Sequence, residues 1–439
     1  GDFVAHCLYG LGAYYLVAIK PADSDGGAPT WPQRAASEAC VPPDGSVAVI
    51  DLSGLAKYAV RDDERYVRYG AAVFFNVSRQ PLGIWLEGEL QMVYPGDPDW
   101  QWAVWRFKCT LIYNSFTLQH LVRCHWIVSN SLTIAMREAL DGAHPIRMLM
   151  RPHTYASITI NQAAVVKLAS KKTGTFRIGA HTQESIEAAI AEVTEQFEYR
   201  TFPEQLAARG QFPPEFGFEQ LPYCTDGSAY WAQLAAFHVR YVEHFYPTEE
   251  ALQADEQLRH FWEVADSGAT GTGALEHRRF GLPAELTRAA LCDFLSFCAF
   301  ESTAMHELLG SQLIDVSLPT TFNGRIQARA AFKQADGTER FQCSVQDWYR
   351  ICMATAATTT LPVPHLISEM RHFARLWEDR KHPPHGHSAS YVVSALYKDF
   401  ANALERVADQ IDEENRKLAN RTSTFGSFNP RVFETSVSQ

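Results

Sequence analysis

A mainly helical fold, built round one long buried helix and carrying a small β part near the N-terminus, is what this 439-residue sequence predicts. Three observations carry that prediction. The stretch from about Trp100 to Leu140 is apolar almost throughout and far too long for a strand. Further helical patterns follow it, at 184–197, 228–244, 248–265, 282–313, 346–355, 364–380 and 389–418. Short β-type runs, by contrast, are confined to the region from Val47 to about Met92, with turn signals between them.

Taken in order, residues 1–45 start apolar and then run into PADSDGGAPTWPQ, so an irregular segment is expected. VAVIDL, AAVFFNV and GIWLEGELQMVY supply the β part, and Tyr94-Pro-Gly-Asp-Pro closes it. The segment MLMRPHTYASITINQAAVVKLAS follows the long helix. In SAYWAQLAAFHVRYVEH the apolar residues recur at three- and four-residue spacing, and Thr248-Glu-Glu marks the next helix start. DSGATGTGALEHRRFG reads as a surface loop, and Pro283 sits near the start of the next helix, where proline is tolerated. The chain ends in RTSTFGSFNPRVFETSVSQ, polar and turn-rich but carrying Phe and Val anchors. No internal repeat breaks this pattern, so residues 1–439 read as one domain.

Composition narrows the function classes. Hydrophobic residues make up 46% and charged residues 20%, enough to bury a large core. A formal net charge of −11 argues against a nucleic-acid partner, whose phosphates call for basic clusters. No apolar run is long enough to span a bilayer. The nine cysteines are scattered without a CxxC pair, which favours free thiols. The opening GDFVAHCLYG has no initiator Met or charged leader, so the native beginning is expected to be missing, and neither compartment nor oligomeric state is marked.

The chemistry sits on the long helix. FTLQHLVRCHWIVSN places His120 and His125 five residues apart, with Asn130 five further on. At roughly 100° per residue an α-helix would point the two imidazoles apart. A π-bulge makes five residues slightly more than one turn and brings them to the same side, and such bulges concentrate at functional sites. His306 lies in a second apolar run, FCAFESTAMHELLG, where a buried imidazole needs a partner and a metal is one candidate. Separate core histidines with ordinary hydrogen bonds are the alternative. HELLG lacks the second histidine of HExxH, which excludes that type of zinc protease. Lys381-His-Pro-Pro-His-Gly-His387 reads as an exposed loop.

These runs together resemble the catalytic domain of the lipoxygenase family, over roughly residues 45–439. AMREALDGAHPIRMLMRPHTYASITIN resembles the segment after the family's first two metal histidines, including His144-Pro145 and Ile160-Asn161. LPYCTDGSAYWAQLAAFHVRYVEHFYPTEEALQADEQLRHFWEV is similar to the family's central Tyr- and Trp-rich region, FCAFESTAMHELLG to its third-histidine segment, and ETSVSQ to its C-terminal motif. The resemblance implies a lipoxygenase-like helical domain and a non-haem iron dioxygenase, with manganese as the alternative metal. Its ligands would be His120, His125, His306 and the terminal α-carboxylate of Gln439. One alignment pairs His125 with Asn130 instead of His120, so Asn130 stays open as a ligand. A metal-bound hydroxide would abstract a bis-allylic hydrogen from a polyunsaturated fatty acid, and O2 would add to give a conjugated hydroperoxide.

By position, Ala164 falls where the family's residue accompanies product stereochemistry, and Leu168 where a leucine clamps substrate over the metal. Arg147, Arg151 and Lys171 are candidates to pair with a fatty-acid carboxylate. The chain departs from the family pattern at Gly310, which stands where the family has an Asn ligand, and at Gln439 in place of Ile. An N-terminal β-sandwich domain of the kind many members carry is expected to be absent as well. Those departures motivate a second reading, a lipoxygenase-like oxygenase or hydroperoxide-converting enzyme with another substrate. A non-catalytic descendant that binds an apolar ligand is a third.

Overall fold

Strand periodicity explains the β part. In β2 (Ala48–Asp51), β3 (Ala71–Phe75) and β4 (Pro81–Leu86) successive side chains point to opposite faces. Ala48, Ile50, Ala71, Val73, Phe75, Ile84 and Leu86 enter the main core, while Val49, Ala72, Phe74 and Trp85 enter a second cluster with Trp31 and Cys40. Both faces are covered, so the runs read as continuously apolar rather than alternating. With β1 (Leu16–Ala18) and β5 (Gln91–Val93) they form one antiparallel sheet in the order β1-β2-β3-β4-β5. The structure is a computed structural model and describes residues 2–21, 29–61, 66–166, 179–267, 280–311, 364–379, 386–418 and 428–437.

The N-terminal segment, expected to be irregular, contributes the helix Asp2–Leu8, the 3-10 turn Leu11–Tyr15 and strand β1. Its anchor is the buried Arg209, which donates to the carbonyls of Ala13 (2.6 Å) and Leu16 (3.1 Å). The guanidinium also lies 4.4 Å from the Tyr223 ring centre, so its charge is solvated by carbonyls and a π face instead of water.

Trp100–Ala139 is one continuous helical run, as its apolar length predicts: α over Trp100–Tyr113, π over Asn114–Ser129, α again over Asn130–Ala139. Its first part is wedged between two apolar layers. Ala103, Phe107 and Leu111 face the main core, and Trp102, Trp105, Cys109 and Tyr113 a separate cluster. The other helices continue the main core, with Pro222–Phe245 packed on Arg288–Phe300 and on Gly386–Leu418. Phe237 stacks on Phe400 at 4.4 Å between ring centres in the second of those contacts.

One helix starts earlier than expected, at Pro222 rather than near 228, and two other boundaries differ through caps. The 248–265 pattern divides into Glu249–Gln253 and Glu256–Asp266, because the Asp255 carboxylate accepts from Leu258 N–H (3.0 Å) and starts a new helix. The 282–313 helix begins at Arg288 rather than near Pro283, because Thr287 Oγ1 caps it by accepting from Ala290 N–H (3.1 Å). The 346–355 stretch lies outside the described residues. Among the described residues, no helix is long and apolar enough to cross a membrane.

Candidate metal centre

The five-residue spacing of His120 and His125 is matched by five-residue backbone turns. Asn114–Ser129 is π-helical, and the N–H of Asn130, at its end, donates to the carbonyl of His125, five back. The second apolar run does the same. Glu301–Met305 is π-helical, with the His306 N–H reaching the carbonyl of Glu301, and Glu307–Ser311 continues in that form. This geometry turns the imidazoles of both runs toward one point.

His125 Nε2 lies 3.3 Å from His120 Nε2 and 3.1 Å from His306 Nε2, and all three residues are buried. The polarity of the cluster follows from Asn161. Its Nδ2 donates to the His125 carbonyl (2.9 Å) and to Asn130 Oδ1 (2.7 Å), which leaves Oδ1 to accept from His125 Nδ1–H (2.8 Å). His125 therefore carries its proton on Nδ1 and turns the lone pair of Nε2 toward the other two rings. One lone pair cannot take two good N–H donors, whereas three lone pairs converging on a cation are fully satisfied.

Spacing and protonation both fit a metal. Two nitrogens bound to one ion at about 2.1 Å and at right angles would lie about 3.0 Å apart. Burial first, and the charges of the neighbouring rings second, hold His120 and His306 well below the ordinary imidazole range. Burial lowers His125 to about 4, outweighing the Asn161 bond. All three are neutral near pH 7, the ligating form.

Other predicted site residues are placed differently. Asn130, the alternative ligand, meets Asn161 and so bears on His125 through it. Gly310 offers no side chain and lies against the His120 ring. Ala164 is buried in the core, at the end of the helix Ser157–Ala164 that carries Asn161. Arg147, a candidate carboxylate partner, donates through Nη1 to the Leu140 carbonyl at the end of the preceding helix. Leu168, Lys171, Gln439 and most of the 381–387 loop lie outside the described residues.

Two supporting groups were not assigned from the sequence. Asn161 sits 36 residues from His125, and no spacing rule connects them. The other is an ion pair, in which Arg123 Nη2 and Nε meet the two Glu301 oxygens at 2.7 and 3.1 Å and tie the two π-helical runs together. Glu301 is fully buried and also accepts from Gln205 Nε2 (3.4 Å), while Phe197 and Phe297 flank the guanidinium. Opposite charges inside two apolar runs were the available signal, since buried charges need partners. The C-terminal segment is fastened nearby. His153 Nδ1–H donates to the Thr435 carbonyl (2.8 Å), Ser436 Oγ donates to the Tyr155 carbonyl (2.9 Å), and Phe428, Phe433 and Val437 are buried.

A family model described as Lipoxygenase matches residues 90–427. The chain belongs to the lipoxygenase family. Among its relatives is the polyunsaturated fatty acid (12S)/(13S)-lipoxygenase, epidermal-type, of Mus musculus, 30% identical over 221 residues, which are 48% of this chain and 31% of that protein. The hydroperoxide isomerase ALOXE3 of Homo sapiens is 26% identical over 225 residues, 49% of this chain and 30% of that one. In fold, the chain is similar to a delta413-417:GS LOX solved anaerobically in complex with arachidonate. The TM-score is 0.76 at 16% identity, over 100% of this chain and 66% of that one. This lipoxygenase-family chain spans less than half the length of these two curated relatives.

Proposed function

We propose that the chain is a non-haem iron dioxygenase that turns the cis,cis-1,4-diene of a polyunsaturated fatty acid, with O2, into a conjugated hydroperoxide. The observation that carries this reading is the convergence of the neutral Nε2 atoms of His120, His125 and His306. Iron held by His120, His125 and His306 would supply the one-electron couple for oxidising the diene, and manganese suits the same donors. The protein's residues supply the rest. Asn161 holds the His125 tautomer, and three neutral ligands leave the cation electron-poor. The reading includes the α-carboxylate of Gln439 as a fourth ligand, supported by the docking of Thr435, Ser436 and Val437 in the core. Ala164, buried beside the site-bearing elements, and Leu168 are proposed to line the diene channel.

The test is metal analysis of purified protein, followed by incubation with linoleate and arachidonate at the conjugated-diene absorbance. The reading expects a stoichiometric iron or manganese ion and an absorbance rise. Protein with no stoichiometric metal overturns it and leaves an apolar-ligand-binding descendant. Metal-loaded protein that forms no diene from either acid supports a second reading, conversion of a hydroperoxide or oxygenation of another substrate. Gly310 at the family's Asn position and the hydroperoxide isomerase among the relatives favour that alternative.

A further inference from the structure

We propose that Gly310 is a positioning residue of the metal centre. Its missing side chain lets the His120 ring reach His125 and His306, so the site takes three imidazoles and excludes any side chain from position 310. The inference rests on the metal reading above and goes beyond it, because the family resemblance alone would have an Asn at 310 complete the ligand set.

Gly310 is not there for backbone freedom, since its φ lies outside the left-handed region. What the position requires is the absence of a Cβ. A carbon added to Gly310 would overlap Nε2 and Cδ2 of His120 and sit 2.8 Å from Cε1, and all three of its nearest atoms belong to that one ring. The ring has nowhere to go. It stacks on Phe116 at 5.5 Å between centres and 29°, and abuts His125 at 4.7 Å and His306 at 4.6 Å. Both neighbouring imidazoles are themselves buried, and Asn161 holds His125. A side chain at 310 therefore displaces Nε2 of His120, the atom offered to the metal.

The test uses the full chain, stripped of metal, as wild type, Gly310→Ala, Gly310→Asn, His120→Ala and the double variant His120→Ala/Gly310→Ala. Two quantities are read: Co2+ binding by absorption titration, and the melting temperature without metal. Gly310→Ala and Gly310→Asn are expected to weaken Co2+ binding by about tenfold or more, the scale on which misplacing a ligand acts. In an unobstructed helix Gly→Ala stabilises. Gly310→Ala is therefore expected to lower the melting temperature in wild type and to raise it once His120→Ala has removed the ring. That reversal of sign is something a general packing defect at 310 would not produce. Gly310→Asn binding Co2+ as tightly as wild type overturns the proposal, and so does an equal Gly310→Ala effect in both backgrounds. Wild type that takes up no Co2+ overturns the metal reading and the positioning role with it, even where the reversal shows the steric contact.

Discussion

The stretch Arg288–Ser311 has an α-helical half and a π-helical half, and the two treat their buried polar groups differently. In the α half, Ser296 Oγ bonds the Cys292 carbonyl (2.7 Å) and meets His238 Nδ1 (2.9 Å) on the neighbouring helix. A hydroxyl on one ring nitrogen is an ordinary partner for a buried histidine, and among the described residues no second imidazole meets this ring. In the π half, Glu301 receives an arginine from the other histidine-bearing helix, and His306 points at two more imidazoles. A buried histidine in an apolar helix is thus not itself a sign of a site. Five-residue turns on two facing helices, which aim several of them at one point, are.

Among substitutions, the largest effect should come from breaking the π half. Glu301→Ala leaves Arg123 buried without its counter-charge, and chemical denaturation should show a loss of about 3–5 kcal/mol. A loss no larger than that of an exposed pair such as Arg240–Asp399 would mean that the two runs do not depend on this tie. Next is the tautomer lock. Asn161→Ala should weaken metal binding by about 10–100-fold, because it frees the His125 ring to turn and to move its proton. Calorimetric titration with Co2+ measures this, and an unchanged affinity would leave Asn161 a packing residue.

Acid should act on histidines outside the cluster. Burial lowers His153 to about 4 and His238 and His181 to about 3, against an ordinary value of 6.5. Above pH 6.5 these groups cost nothing. Below it the unfolded chain binds protons first, and each imidazole should remove about 1.4 kcal/mol of stability per pH unit until its folded value is reached. Denaturation midpoints from pH 7 to pH 4.5 check the slope, and a flat profile would contradict the neutral burial of these rings. The smallest change is expected in the α half, where Ser296→Ala should cost about 1 kcal/mol and leave metal affinity unchanged.

Much of the architecture was legible because burial is written in apolar length. The run Trp100–Ala139 and the strands β2 to β4 needed nothing more than that pattern. The five-residue histidine spacing was legible as a candidate for π geometry, with separate core histidines on an α-helix as the alternative. What stayed hidden depends on contacts between distant segments. Asn161 reaches His125 from a helix 36 residues on, and His153 finds a carbonyl 282 residues away. Asn130 stayed open as an alternative to His120 on one alignment, since spacing does not reveal that its oxygen faces another amide. The split at Asp255 was hidden for a similar reason. That carboxylate caps a helix while also accepting from Tyr246 (2.7 Å) and His144 (3.0 Å), and only the fold brings those together.

The most direct measurement of the central claim compares the two kinds of buried histidine. Each of His120, His125, His306 and His238 is changed to Ala, and bound Co2+ per chain is determined for each variant. One ion per wild-type chain, lost or strongly weakened in the first three variants and retained in His238→Ala, is the predicted result. Full binding in any of the first three, or equal loss in His238→Ala, would contradict a three-imidazole metal centre.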